Sequence, residues 1–374
     1  MIVASSPVGG IRTYLRYVLS YVDRGKYAVT LVACRNSESR QLADGLPAHV
    51  ALKLAGSEAS CFLRIALEVV RGRPHVVNSQ GFRAAVLAFV PCILFRRKHA
   101  LTIHGIVEDR FLSGRLERLR RLIWMRMLRS VDVFVAVGRD IQTHVQRRTE
   151  GARLRKCRWV VIPNGIDIAE FAGDRGDSRT ELLRKLGLTE ANFVFGFFGR
   201  FMPQKGFDLI VEAMSILRAD SRAGSFMILA VGSGDYVRES IALVHRRGLK
   251  DRFIFMPAQN SIAPLLAGCD CVLMPSRWEA FSLLAAECLC TGTPLIASDC
   301  IGLREVVEGT PAIIIPSENP SALAEAMIKV ASDPEARQRA QAFRKSAAER
   351  FDVSLTAAQL MVLWDELAFA PRSE

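Results

Sequence analysis

The feature that most limits what this chain can become is a rhythm that runs through it twice. Short, almost wholly apolar runs alternate with amphipathic stretches, once in each half. In the first half VTLVAC (29–34), HVVNSQ (75–80), HALTIHG (99–105), DVFVAVG (132–138) and WVVIPNG (159–165) read as strands. The second half offers FVFGFFG (193–199), SFMILAVG (225–232), RFIFMP (252–257), CVLMPS (271–276) and TPLIASD (293–299). Between strands, GIRTYLRYVLSYV (10–22) and FDLIVEAMSILRA (207–219) carry helical spacing, and the latter places Phe207, Ile210, Met214 and Leu217 on one face. Strands apolar on both sides belong to parallel sheets covered by helices on both faces. Two successive sets predict two Rossmann-like α/β domains facing across a cleft, and 374 residues suits two such cores better than one. Pro, Gly and Asp cluster in PNGIDIAEFAGDRGDSR (163–179), which places the break there and divides the chain into 1–165 and 166–350.

Open parallel sheets bind ligands beyond the carboxyl ends of their strands. Site residues are therefore sought just after the strands. In GFFGRFMPQKGFDLI (196–210) a strand ends at Gly199, followed by Arg200, a short loop, Lys205 and a helix. Two cations across such a loop suit a diphosphate, one offering a planar fork of donors and the other a point charge. They also read as ordinary surface cations beside a turn.

In PSRWEAFSLLAAECLCTGTP (275–294) a loop carries Glu279 and the following helix carries Glu287, with Gly292 placed to end it. An unpaired carboxylate in so apolar a run would cost several kcal/mol, so each acid needs a partner. The first turn of the helix leaves backbone N–H groups for an anion. Glu279 is placed to face a substrate beyond that anion. Glu287 can accept from hydroxyls such as those of a ribose, or form a salt bridge on the helix face. His104 follows the strand LTI, and Gly9 and Gly10 open the first helix, where they allow close backbone approach to a ligand at a second anion-binding helix end, or simply make a turn.

Together these segments resemble the family 4 retaining glycosyltransferases of two-Rossmann-domain (GT-B) architecture. SSPVGGIRTYL, TIHG, VIPNGID, GRFMPQKGFDLIVEA and PSRWEAFSLLAAECLCTGTPLIASD occur in the order of that family's segments, with Glu279 and Glu287 as its Glu-x7-Glu pair. The resemblance implies a nucleotide-sugar-binding second domain and an acceptor-binding first domain, onto which the closing helix FDVSLTAAQLMVLWDELAF (351–369) packs back. It implies that Arg200 and Lys205 bind the donor pyrophosphate with no metal or cofactor, and that Glu287 holds the ribose. Phe281, Ser282 and Leu283 are expected to complete the donor site. Glu279 is expected beside the donor sugar, and His104 beside the sugar or acceptor. The implied reaction is retaining transfer of a sugar to a hydroxyl acceptor, lipid-linked or a polysaccharide or lipopolysaccharide precursor. The chain departs from the family pattern at Ala280 and Ser282, where glycines are common. Their β-carbons narrow the space over the phosphates, or Ser282 caps the helix. The strand before Gly9 is short, as expected of a chain whose start lies inside a longer reading frame.

Charge divides unevenly. Residues 1–165 hold 28 Lys and Arg against 11 acids, and residues 166–374 hold 22 against 27. The basic half calls for an anionic partner. SGRLERLRRLIWMRMLRS (113–130) concentrates Arg115, Arg118, Arg120, Arg121, Arg126 and Arg129 beside an apolar stripe of Leu116, Leu119, Ile123 and Met127, and FRRKH (95–99) adds a second basic cluster. Such a helix suits an anionic membrane surface, or packs on a sheet with its arginines solvated. No run approaches the ~20 apolar residues of a spanning helix, since AAVLAFVPCILF (84–95) is shorter and holds Pro91. The start also lacks the basic segment of a signal peptide. A cytoplasmic protein, dissolved or peripheral on the inner membrane face, is expected. The nine scattered cysteines read as reduced core thiols, since their spacings match no zinc site.

Other functions are weaker. An epimerase or phosphorylase of the same architecture shares the donor segments. VGSGD (231–235) lacks the third glycine of a dinucleotide loop. No recognition motif or interleaving of aromatics with cations supports nucleic acid. A non-catalytic anion-binding protein is the remaining class.

Overall fold

Strands and helices alternate throughout the computed structural model, which describes residues 1–7, 9–107, 117–149, 157–171 and 178–369. They form two compact units, Met1–Gly165 together with the chain from Val353 onward, and Ile166–Asp352. Among the described residues the first unit holds β1 (Ile2–Ala4), β2 (Val29–Cys34), β3 (Val50–Ala55), β4 (Val76–Gln80), β5 (Lys98–Ile103), β6 (Val133–Ala136) and β7 (Arg158–Val161). Their order across the sheet is β3-β2-β1-β4-β5-β6-β7. The second unit holds β8 (Asn192–Arg200), β9 (Ser225–Ser233), β10 (Phe253–Pro257), β11 (Cys271–Met274), β12 (Leu295–Ser298) and β13 (Ile313–Ile315), ordered β10-β9-β8-β11-β12-β13. The strand pairs of both sheets are parallel. In each sheet the order reverses at the first strand, between β1 and β4 and between β8 and β11. Crossovers leave such a switch point on opposite faces, which opens a crevice at the carboxyl ends of its strands.

β3 and β13 go beyond the strands read from the sequence. Both are edge strands: β3 alternates exposed and half-buried residues along its middle, and β13 is apolar but only three residues long, Ile313–Ile315. Lys53 sits in the middle of β3 for that reason, in a strand whose exposure alternates.

The cores follow from the helices' apolar faces. In the first unit Val3, Val32 and Val77 from three adjacent strands meet Cys61, Ile65 and Val69 of the helix Glu58–Arg71 and Ala84, Ala88 and Cys92 of the helix Phe82–Leu94. In the second, the anticipated face of the helix Phe207–Leu217 is buried at Phe207, Ile210, Met214 and Leu217. Its first residue completes a cluster in which the rings of Phe197, Phe201 and Phe207 lie 5.1 to 5.4 Å apart. That cluster fixes both ends of the loop between β8 and its helix. The nine cysteines are free, and burial pushes thiols such as Cys92 up to about 12, which suits inert core packing.

The C-terminal helix Val353–Phe369 belongs to the first unit. Thr356 Oγ1 donates to the Pro163 carbonyl at 2.8 Å, and Tyr27 donates to Asp365 at 2.8 Å. Lys26 and Arg158 form ion pairs with Asp365 and Glu366.

Candidate active site

At the switch point of the second sheet, β8 ends at Arg200 and the chain arches between the buried rings of Phe201 and Phe207. Lys205 closes a single 3-10 turn, Pro203–Lys205, and Gly206 follows in the left-handed region at φ 68°. Glycine is needed here twice over. A β-carbon on Gly206 would lie 2.1 Å from the Pro275 carbonyl oxygen, so only glycine lets the loop rest on the chain leaving β11.

That chain supplies the partner. Lys205 Nζ donates to Glu279 Oε1 at 2.7 Å, and Ser276 Oγ donates to the same oxygen at 2.8 Å. Glu279 is 5% exposed and Ser276 1%, so a nearly buried carboxylate is matched by one cation and one hydroxyl. The two loops are fastened on both sides of this contact. Arg277 grips Asp208 with both terminal nitrogens, at 3.0 and 2.7 Å, and donates from Nε to Glu318 at 2.9 Å. It also donates to the Pro203 carbonyl. In return the Gln204 carbonyl accepts from the Arg277 backbone N–H at 2.8 Å, and Gln204 Nε2 donates to the Trp278 carbonyl at 2.9 Å.

The helix Leu283–Thr291 begins directly beyond Glu279. Ser282 is its N-cap, accepting from Ala285 N at 3.4 Å, and Gly292 ends it in the left-handed region at φ 74°. Of the two readings of Ser282 the structure thus has the cap. Leu283 and Glu287 are buried on this helix, and Phe281 packs edge-on to Phe351 at 6.3 Å. Arg200 is exposed and makes no hydrogen bond or ion pair among the described residues. Lys205 and Glu279 are in direct contact, whereas the sequence reading assigns Lys205 to a diphosphate and Glu279 to the substrate beyond it.

The first sheet gathers its own set at the β1/β4 switch point. Gly9 caps the helix Gly10–Ser20 at φ 53°, a conformation that favours glycine. Gly10 is the exposed first residue of that helix, and a β-carbon there would meet nothing within 4 Å, so no close approach demands it. His104 follows β5, with Tyr14 edge-on to its ring at 4.7 Å and its Nε2 2.7 Å from Gln80 Oε1 at the end of β4. Burial pushes the His104 imidazole down to about 3, so it is neutral near pH 7.

The sequence reading missed Ser276, Arg277, Gln80 and Tyr14. A signal was present for two of them. Arg277 lies between the end of a strand and Glu279, and Gln80 ends an apolar strand on three successive polar residues, Asn78, Ser79 and Gln80. Among the described residues no group of three or more His, Cys, Asp or Glu gathers to hold a metal.

The basic helix differs from the reading of its stripe. The structure places it at Glu117–Ser130, with Arg115 and Leu116 outside the described residues. Its packed face is Trp124, Met127 and Leu128, because the Trp124 ring lies 4.6 Å from Phe82 on the helix Phe82–Leu94. Leu119 and Ile123 of the anticipated stripe are 49% and 36% exposed, and Leu122 is 64% exposed. Among the described residues no helix is long and apolar enough to cross a membrane.

Two family models match the chain in succession, one described as Glycosyltransferase Family 4 over residues 8–170, the other as Glycosyl transferases group 1 over residues 178–349. A D-inositol 3-phosphate glycosyltransferase of Actinosynnema mirum is 33% identical over 193 residues, 49% of this chain and 45% of that protein. The enzyme of the same name from Corynebacterium urealyticum is 27% identical over 345 residues, covering 82% of this chain and 81% of its own. The matched stretch spans about half the length of the first curated relatives, 45%, 55% and 52% of three of them. Among solved structures, Anabaena HepE in complex with UDP-glucose superposes with a TM-score of 0.82 at 22% identity, covering 98% of both chains. At that identity the likeness is one of fold.

Proposed function

The chain belongs to the family 4 glycosyltransferases, and on that premise we propose that it moves a sugar, with retention of configuration and without a metal, from a nucleotide-diphosphate sugar to a hydroxyl acceptor. The observation that carries this reading is the Lys205–Glu279 contact at the switch point of the second sheet, 2.7 Å long, with the N-terminus of a nine-residue helix beside it. A diphosphate arriving there meets Lys205, the exposed Arg200 and the helix N–H groups. In accepting Lys205 it frees the Glu279 carboxylate for the sugar. Glu287 takes the ribose hydroxyls, with Phe281, Ser282 and Leu283 around the donor. In the first unit, His104 serves the sugar or the acceptor, and Gly9 and Gly10 open the helix that faces it. As the bond from the anomeric carbon to the phosphate oxygen breaks, the acceptor oxygen bonds to that carbon and its proton passes to the departing diphosphate. Stabilising the leaving group and the sugar's developing positive charge provides the catalysis.

Because the fold neighbour HepE was solved with UDP-glucose, UDP-sugars are the first donors to try, followed by GDP- and ADP-sugars. Each is incubated with the protein, with and without a panel of hydroxyl acceptors, and the product's anomeric configuration is read by NMR. The expected result is donor consumption only when an acceptor is present, with retention. Conversion of the donor alone would instead support an epimerase, and inversion would overturn the retaining reading.

The exposed apolar residues Leu119, Leu122 and Ile123, on a helix with five described arginines and one glutamate, favour a second reading for the acceptor side. We propose that this face rests on an anionic membrane from the cytoplasmic side, so that the acceptor is lipid-linked.

A further inference from the structure

The first unit contains a buried polar relay that the transfer chemistry does not account for. Asn78 and Gln80 on β4 and Thr102 on β5 are 2%, 5% and 1% exposed, in strands where apolar side chains would pack more cheaply. Asn78 Nδ2 donates to the Ala100 carbonyl at 3.3 Å and to Thr102 Oγ1 at 3.0 Å. Gln80 Nε2 donates to Asn78 Oδ1 at 3.0 Å, and His104 Nε2 lies 2.7 Å from Gln80 Oε1.

The direction of every bond follows from one fixed point. A main-chain carbonyl only accepts, so Ala100 compels the Asn78 amide nitrogen to face it. Thr102 donates and accepts with equal ease and so does not decide the matter. Asn78 Oδ1 then faces Gln80 and can only accept, which compels Gln80 to present its amide nitrogen. Gln80 Oε1 is thereby turned to His104 and can only accept there. A neutral imidazole has one N–H, and in this setting it must lie on Nε2. The imidazole's low pKa, about 3, agrees with a ring that stays neutral near pH 7. Tyr14 packs edge-on against the ring and restricts its rotation. Among the described residues Nδ1 has no partner.

We infer that Gln80 is a positioning residue that fixes His104 as its Nε2–H tautomer and leaves Nδ1 as a bare acceptor for a hydroxyl of the donor sugar or the acceptor. The functional half of this inference rests on the proposed transferase reading. The tautomer half does not. A ring held this way accepts from a substrate O–H and offers no donor to a carbonyl or phosphate oxygen, so it selects for a hydroxyl at that place.

The test begins with the unmodified full-length protein, labelled with 15N-histidine. Long-range 1H–15N NMR near pH 7 reports which nitrogen carries the proton, and the His104→Gln spectrum assigns the resonance. The expected result is a protonated Nε2 and a bare Nδ1; a proton on Nδ1 overturns the inference without any activity being measured. Gln80→Leu keeps the bulk and removes the acceptor, and Gln80→Glu restores an acceptor toward His104. Gln80→Leu is expected to give mixed tautomers and to lower kcat roughly tenfold while leaving the donor KM nearly unchanged, the loss of about one hydrogen bond. Gln80→Glu is expected to keep the proton on Nε2, while its carboxylate, which offers Asn78 no donor, raises the imidazole's pKa. A Gln80→Leu protein with the original tautomer, or with the original kcat, overturns the positioning role. If the tautomer is as expected and no sugar is transferred by the unmodified protein, the transferase reading fails alone.

Discussion

Lys205 Nζ and Glu279 Oε1 are in contact at 2.7 Å, in a loop pair where the carboxylate is almost wholly buried and the ammonium largely so. A group read as a phosphate ligand is thus already neutralised by a group read as a sugar ligand. On the proposed reading, a donor diphosphate has to take Lys205 from Glu279 before either performs its role.

Glu279→Gln follows directly from that competition. The substitution keeps the shape, removes the rival for Lys205 and removes a negative charge beside the phosphate site. A nucleoside diphosphate is expected to bind the variant roughly three- to tenfold more tightly, about 1 kcal/mol, since close charge pairs near a surface interact at this scale after screening. Turnover is expected to fall by orders of magnitude, because the variant lacks the carboxylate proposed to meet the developing charge. Calorimetric titration with the diphosphate, alongside steady-state kinetics, checks both. Weaker diphosphate binding in Glu279→Gln would contradict the competition.

Arg277 makes a different kind of contribution. Its two terminal nitrogens match the two oxygens of Asp208, and its other donors reach Glu318 and the Pro203 carbonyl, so it ties the Lys205 loop to the Glu279 loop. A lysine in its place cannot reproduce a planar fork. Arg277→Lys is therefore expected to behave much like Arg277→Ala. Both should raise the donor KM about ten- to a hundredfold, by analogy with other residues that orient a binding group, with a smaller loss of stability. A lysine variant with wild-type KM shows that the fork is dispensable.

Two desolvated histidines, His99 fully buried and His104 half-buried, set a pH dependence for the first unit. Desolvation pushes His99 down to about 4 and His104 to about 3, both below the ordinary 6.5. Between those values and 6.5 the unfolded chain takes up protons that the folded chain refuses. The stability of the first unit therefore rises with pH across this window and is lost as pH falls through it, by on the order of 1 kcal/mol per pH unit for each histidine. His99 is fully buried on β5 with Ser79 Oγ 2.8 Å from its Nε2, well outside the donor segments. Scanning calorimetry from pH 7 to pH 4 is expected to show the first unit's transition falling, and His99→Gln is expected to flatten that fall. An equal slope in the variant rules His99 out as a source.

How much of this was legible beforehand depends on where each signal lives. Interior parallel strands announce themselves because both faces are apolar, and the helix over Phe207–Leu217 because its period is clear. The edge strand β3 is broken by Lys53, and β13 is only three isoleucines long, too short a run to stand out. The side chains Arg200, Lys205, Glu279 and Glu287 could be named because they stand at strand ends or in an apolar run. Their partnership could not, since nothing in Glu279's neighbourhood along the chain says that Lys205, 74 residues earlier, will reach its carboxylate. The Asn78–Gln80–His104 relay was hidden for the same reason. It joins β4 to β5, and its polarity is set by a backbone carbonyl, which leaves no mark on the sequence. The helix Glu117–Ser130 shows the opposite failure, a visible periodic stripe that shares only Met127 with the packed face among the described residues, because Trp124 anchors the helix on Phe82.

That displaced stripe yields the last prediction. Leu119, Leu122 and Ile123 are left outward on a helix carrying Arg118, Arg120, Arg121, Arg126 and Arg129. An apolar face costs little in water at this size, but beside so many cations it suits an interface that is apolar below and anionic above. Each arginine near an acidic bilayer contributes about 1 kcal/mol, and the three apolar side chains add insertion energy that salt does not screen. The full chain is expected to float with vesicles of acidic lipid at low salt, to float less at moderate salt, and to ignore neutral vesicles. Leu119→Gln, Leu122→Gln and Ile123→Gln combined should abolish flotation at moderate salt while leaving the melting temperature in place, because none of the three is in the packed core. Equal flotation of this triple variant at every salt concentration would show that the arginines act alone, and no flotation of the unmodified chain on acidic vesicles would remove the membrane reading altogether.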